Sequence, residues 1–195
     1  MDETLCMPRR RKCAATTREM IFEAARARFL SESYDTVGMR DIARDAGVDV
    51  ALVSRYFGSK EDLFRLVLKG GEDRKFELPG NAAELPAFFL SMIAQGEDAE
   101  CGHQRDKLMI MLRSASSPAA AEVIRSSFGR DVLEPLAGVI GEPNADARAV
   151  LAMALLIGTN FLKTVMPIEP LSQDELSHFR AELLRLFERV LVPQA

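Results

Sequence analysis

The stretch Val37–Phe64, VGMRDIARDAGVDVALVSRYFGSKEDLF, decides the fold of this chain. It reads as two short helices, a tight turn between them and the start of a third helix. Arg40 to Ala46 carries Ile42, Ala43 and Ala46 at helical spacing, enough to bury one narrow face. Gly47 stands where the chain must turn, and glycine adopts left-handed backbone angles without steric cost. Asp49 is placed to cap the next helix by accepting from its unpaired first-turn N–H groups. That helix turns Val53 and Phe57 inward, four residues apart. It shows Val50, Ala51, Leu52, Ser54, Arg55 and Tyr56 on its other sides. A helix this short is not stable alone, so a scaffold must hold it while its outer face stays free. A helix-turn-helix meets that requirement.

MRDIARDAGV, a short helix and YFGSKEDLF resemble the DNA-binding signature of TetR-family (tetracycline-repressor-like) transcription regulators. The resemblance is strong from about Thr17 to Leu68; beyond it only length and helical pattern agree. Two positions depart from the family pattern. Ser54 stands where a tyrosine is most frequent, with Arg55 and Tyr56 directly after it. Gly38 stands where a capping, phosphate-touching threonine is usual; glycine still caps but brings no hydroxyl.

Composition sets the bounds. A chain of 195 residues buries a real core without staples, in one or two small domains. Its net charge of −4 is unevenly spread. Pro8 to Lys60 holds 11 Lys/Arg against 7 Asp/Glu, whereas Gly71 to the end holds 12 against 18. A basic head on an acidic body suits a polyanionic partner, because local surface governs that binding. Cys6, Cys13 and Cys101 have no metal-ligand spacing, and their odd number suggests reduced thiols in a cytoplasm. The longest uncharged run, Ala149 to Leu162, reads as a buried helix, too short to span a bilayer.

Outward from the core stretch, residues 1–15 are expected to form a flexible arm with the basic cluster Arg9–Lys12. Such an arm either lies along phosphates or the minor groove, or is a solvated tail. Thr16 and Glu19 make a capping-box pattern opening a helix with Phe22, Ala25 and Phe29 as its stripe. Ser59 and Asp62 make a second box before the stripe Leu63, Phe64, Val67 and Leu68, and Ser172 and Glu175 a third before the last helix. Residues 16–70 thus form the DNA-binding domain, and 71–195 a helical effector-binding and dimerisation domain. QGEDAECGH at 95–103 reads as a polar loop. A helix from Pro118 to Leu133 is expected to bend or break at Pro135. The whole is all-α, without a convincing strand or repeat.

The candidate DNA contacts are Arg40, Val50, Ala51, Leu52, Ser54, Arg55, Tyr56 and Lys60. Small and apolar side chains suit close approach to the groove and to thymine methyl groups. Arg55 can pair bidentately with guanine or hold a phosphate, Tyr56 can bond phosphate, and Arg40 and Lys60 flank them. The last two helices carry surplus apolar residues and, with the resemblance, imply a homodimer. A two-fold dimer sets recognition helices about 34–36 Å apart, matching a palindromic operator.

The resemblance also implies a pocket for a small apolar effector. Phe89, Met92, Met109, Leu112, Met153, Asn160 and Phe161 are its candidate lining, with Phe88, Met111 and Met166 nearby in pattern. Asn160 is the polar residue that could orient a ligand; alternatively its amide is satisfied by a neighbouring helix. No catalytic, metal or cofactor site is expected. His103 and His178 lack a neighbouring nucleophile or an HExxH spacing, and no Gly-rich phosphate loop is present. The expected function is a cytoplasmic, ligand-responsive regulator, a repressor in the first instance. The alternatives are a protein-interaction adaptor with a vestigial DNA-binding head, or a helical enzyme.

Overall fold

The computed structural model describes the backbone of residues 8–71, 77–94, 99–164 and 172–192, and side chains within 16–71, 77–93, 105–163 and 172–192. Ten α-helices occur in these residues: α1 Pro8–Ser31, α2 Met39–Asp45, α3 Val50–Phe57, α4 Lys60–Lys69, α5 Leu85–Ala94, α6 Ala99–Ser114, α7 Pro118–Phe128, α8 Glu134–Ile140, α9 Ala145–Thr164 and α10 Gln173–Leu191. There is no strand among the described residues. Two compact units form. The described residues of Met1–Arg74 join Met109–Ile124 in one, and those of Lys75–Leu108 join Arg125–Ala195 in the other. The first unit thus takes in a segment, Met109–Ile124, far beyond the chain division at residue 70.

Helix α1 begins at Pro8, not at Thr16, so the backbone of Arg9–Lys12 is helical and no flexible arm is seen over 8–15. The reason is local. Proline is tolerated in a first helical turn, and the arginines, lysine and alanines that follow propagate the helix well. Thr16 and Glu19 lie inside the helix rather than at its start. Residues 1–7 lie outside the described part. The expected loop over 95–103 is likewise shortened, since α6 starts at Ala99; residues 95–98 lie outside. No break occurs at Pro135. The chain stays helical from Pro118 to Ile140 through a π-helical turn, Gly129–Leu133, and Pro135 falls in the first turn of α8. A widened turn before proline relieves both its missing N–H and its ring.

The first unit packs around the α1 stripe Ile21, Ala25 and Phe29, with Phe22 partly buried beside it. Ile42, Ala43 and Ala46 of the α2 segment, Val53 and Phe57 of α3, and Leu63, Phe64 and Val67 of α4 close on that stripe. Phe29, Tyr34 and Phe64 form an aromatic triangle with ring centres 4.8 to 6.1 Å apart. Such pairs add about 0.5–1.5 kcal/mol beyond burial of their area. Ile110, Ala120 and Val123, from α6 and α7, complete the same core.

The second unit buries Leu85, Phe89 and Ile93 of α5 against Leu136 and Ile140 of α8, Met153 and Leu156 of α9, and Leu183, Phe187 and Leu191 of α10. Phe89 and Phe187 meet at 5.4 Å between ring centres. By length and composition Ala145–Lys163 is apolar enough to cross a membrane, which the shorter uncharged run did not suggest. Ala149, Ala152, Met153 and Leu156 of that helix are instead packed into this core. Its other side leaves Val150, Leu151 and Leu162 between 46% and 55% exposed, and α10 leaves Phe179 and Leu186 at 40% and 45%.

Candidate nucleic-acid interface

Helix α2 ends at Asp45, and Gly47 turns the chain with φ +66. Glycine takes that angle without the steric cost that most side chains would meet. Asp49 then caps α3: its Oδ1 accepts from the Ala51 N–H at 2.7 Å. Ser59 and Asp62 form the expected reciprocal box at the start of α4. Ser59 Oγ accepts from the Asp62 N–H at 3.1 Å, and Asp62 Oδ2 accepts from the Ser59 N–H at 3.2 Å. The Ser59 hydroxyl and N–H, with Arg65, hold the Asp62 carboxyl below its ordinary range. The two short helices are thus pinned at their entry points, where short helices fray first.

Between the caps, α3 turns Val53 and Phe57 into the core and leaves Ala51, Ser54 and Arg55 exposed, with Leu52 half-exposed. Val50 and Tyr56 are partly buried and pack against the first unit's core, so they stand at the margins of the exposed face. Arg40 is exposed on α2. Lys60 sits differently from a free surface lysine: its ammonium lies 4.2 Å from the centre of the Tyr34 ring. Burial pushes that ammonium's pKa down, while the Asp35 and Glu61 carboxylates oppose the shift.

Sequence reasoning missed the groups behind this face. The Tyr34 hydroxyl donates to Glu61 Oε1 at 2.9 Å, and the Arg18 guanidinium covers the Phe57 ring at 4.7 Å. Arg28 bonds Asp45 through Nε and Nη2, the latter at 2.9 Å, and Glu32 through Nη1 at 2.7 Å, tying α1 to the end of α2. Its hydrogen bonds hold the Asp45 carboxyl below the ordinary range. Only the i,i+4 member of this set, Arg28 with Glu32, carries a local sequence signal. At Gly38 a Cβ would lie 2.8 Å from Asp41 Oδ2, so a threonine there would require that carboxylate to swing aside. Arg44 holds that carboxylate from the other side at 2.6 Å.

The candidate pocket residues divide between the units. Met109 and Leu112 belong to the first, and Leu112 is 46% exposed, so it lines no interior there. Phe89 and Met153 are buried in the second unit's core, Met92 packs partly against it, and Phe161 is half-buried. Asn160 Nδ2 donates to the Leu156 carbonyl one turn back at 3.1 Å. Met166 lies outside the described residues, as do the side chains of Cys6, Cys13, Cys101 and His103. Among the described residues no cluster of His, Cys, Asp or Glu could hold a metal ion.

A capped, outward-facing recognition helix on a three-helix scaffold, followed by a separate helical unit, defines a helix-turn-helix regulator. The sequence matches the family described as "Bacterial regulatory proteins, tetR family" over residues 21–67 and the "Tetracyclin repressor-like, C-terminal domain" over residues 84–191. The chain belongs to the TetR family of transcriptional regulators, which are DNA-binding proteins and not enzymes. It is 32% identical over 109 residues to the HTH-type transcriptional regulator HbdR of Aromatoleum sp. (strain CIB); that alignment covers 54% of this chain and 48% of HbdR. The chain therefore spans about half the length of that relative. Among solved structures it resembles NalD of Pseudomonas aeruginosa, described as the secondary repressor of the MexAB-OprM multidrug efflux pump. The TM-score is 0.65 and the identity 18%, over 93% of this chain and 100% of that one. Salmonella enterica GusR gives a TM-score of 0.63 at 18% identity, over 96% and 98%. At these identities the likeness is one of fold.

Proposed function

We propose that this regulator is a cytoplasmic homodimer that represses transcription from a palindromic operator and is released by a small apolar effector. The observation that carries the reading is α3 itself. Its buried side is two residues wide, and its outer side offers Ala51, Leu52, Ser54 and Arg55 to solvent between fixed caps. Arg55 is the residue for base-edge or phosphate contact, with Arg40 and Lys60 flanking it and Val50 and Tyr56 at the rim. The exposed apolar residues Val150, Leu151 and Leu162 of α9, with Phe179 and Leu186 of α10, support dimerisation through the last two helices. A two-fold pairing there gives an operator with half-sites about 34–36 Å apart.

Effector release follows population logic. An apolar ligand taken up among Phe89, Met92, Met153, Asn160 and Phe161 shifts the protein only by its difference in affinity for the DNA-competent and released forms. The test is footprinting of the purified chain on DNA flanking its own gene, across a salt series. A protected palindrome whose affinity falls steeply with salt supports the reading. Absence of protection, or a salt-independent affinity, points to an interaction adaptor instead.

A further inference from the structure

Arg148 stands in the first turn of α9, where its N–H closes that turn onto the Asn144 carbonyl at 3.1 Å. The partial positive charge of its own helix start disfavours a cation there. Its side chain is directed elsewhere. Nε donates to the Val190 carbonyl at 2.8 Å, and Nη1 to the carbonyls of Gly141 at 3.3 Å and Pro143 at 3.4 Å. Val190 lies in the last turn of α10, and Gly141 caps the end of α8. The last carbonyls of a helix have no partner within it and carry its partial negative charge. One partly buried guanidinium therefore gathers the ends of two helices onto the start of a third. Nη2 is buried with no hydrogen-bond partner among the described residues. A charge enclosed in this way gains little stability on balance; what it supplies is one fixed arrangement of the groups it bonds. That arrangement bears on the exposed apolar faces. Val150 and Leu151 follow Arg148 by two and three residues, Leu186 precedes Val190 by four, and all three are exposed. The bond from Arg148 to Val190 thus lies about one turn from the exposed apolar residues of each helix.

We propose that Arg148 is a positioning residue for the dimer. It fixes the start of α9 against the ends of α8 and α10, and so sets the register in which Val150, Leu151 and Leu186 meet a second copy of this chain. This rests on the reading of α9 and α10 as the dimer surface. The planar fork of a guanidinium fixes direction as well as distance. Without it, α10 slides along α9 or its last turn frays, and the two apolar faces no longer match their copies across the two-fold axis. Arg148 acts through α10 and needs no contact of its own with the second copy.

The test is sedimentation equilibrium of the full chain, at a temperature where circular dichroism shows each variant fully helical. Arg148→Met keeps the apolar stem and removes the fork, and is expected to raise the dimer dissociation constant about tenfold. Arg148→Lys keeps the charge but cannot span both helix ends, and is expected to raise it about threefold. Hydrogen exchange should quicken in both variants at the Val192 and Gly141 amides, which bond Glu188 and Ala137 at the ends of α10 and α8. A merely structural role would lower the melting temperature and leave the dissociation constant of the folded protein unchanged, which overturns the proposal. Should Arg148→Met fail to fold, Arg148→Lys decides: a raised constant supports the positioning role and an unchanged one overturns it. A monomer before any substitution, or a dimer kept by Leu151→Glu with Leu186→Glu, removes the reading of the dimer surface and the proposal with it.

Discussion

Lys60 and Tyr34 are stacked, the ammonium 4.2 Å from the ring centre, while the same phenol donates to Glu61 at 2.9 Å. Two consecutive residues at the head of α4 are therefore fastened to a ring that belongs to the α1–α2 turn. That ring is itself wedged against Phe29 and Phe64. The recognition helix lies in sequence between that ring and the two residues fastened to it, so the rigidity of its frame depends on Tyr34.

The phenol gives the alkaline limit of the first unit. Burial, and then the hydrogen bond to Glu61, push the Tyr34 pKa well above its ordinary value. A raised pKa means that the contribution is complete below the unfolded value near 10 and is lost as pH rises through the folded one. Tyr34→Phe is expected to cost about 1 kcal/mol at neutral pH and to flatten the alkaline decline. Urea midpoints measured from neutral to strongly alkaline pH check this; an equal decline in both proteins would refute it.

At the acid end the sign reverses. Hydrogen bonds hold the carboxyls of Asp45, Asp62 and Glu175 below their ordinary range; the Glu61 carboxyl is lowered by its own backbone N–H first and then by Tyr34. Their contribution is present above the unfolded values, near 4, and is lost as pH falls through the folded ones. Circular dichroism should show helix loss beginning below about pH 4. Asp62→Asn should shrink the pH dependence rather than merely lower the plateau.

The Asp49 side chain caps α3. Asp49→Ala is expected to cost about 1 kcal/mol, and Asp49→Asn a few tenths, because the amide oxygen still accepts. Chemical denaturation of the three proteins gives the ranking. Equal loss in both variants would mean that charge, not the hydrogen bond, holds the helix start.

Arg55→Ala is expected to cost about 1–3 kcal/mol of operator binding and to relax preference at one base position. Selection of bound duplexes from a randomised pool reads this directly. A loss spread evenly over all sequences would assign Arg55 to a phosphate.

Leu151 and Leu186 are exposed on α9 and α10, where a charge costs the isolated chain little. Leu151→Glu combined with Leu186→Glu is expected to give a monomer in sedimentation at micromolar concentration, with its helical signal unchanged. Retained dimerisation would move the interface elsewhere.

Much of the first unit was legible before any coordinates. Ile42, Ala43, Ala46, Val53 and Phe57 are the inward positions that spacing indicated, and Asp49, Ser59 and Ser172 cap where their partners predicted. The start of α1 is ambiguous in sequence because Thr16 and Glu19 fit a capping box while the basic residues before them propagate a helix equally well. Pro135 reads as a break in the sequence, whereas in the structure a π turn, which leaves no sequence mark, absorbs it. A pocket lining is the least legible feature in sequence: methionines and phenylalanines at helical spacing look the same in a core and around a cavity.

By itself the sequence determined the helices, their caps and their inward faces, because those depend on residues within about four positions of one another. Tertiary structure decided what lies behind the exposed face. Arg28 meets Asp45 across 17 positions, Tyr34 meets Glu61 across 27, and Ser117 meets Asp35 across 82. Pairings at such separations carry no periodic signature. They exist only once the aromatic triangle has closed the core and brought distant turns within hydrogen-bonding reach.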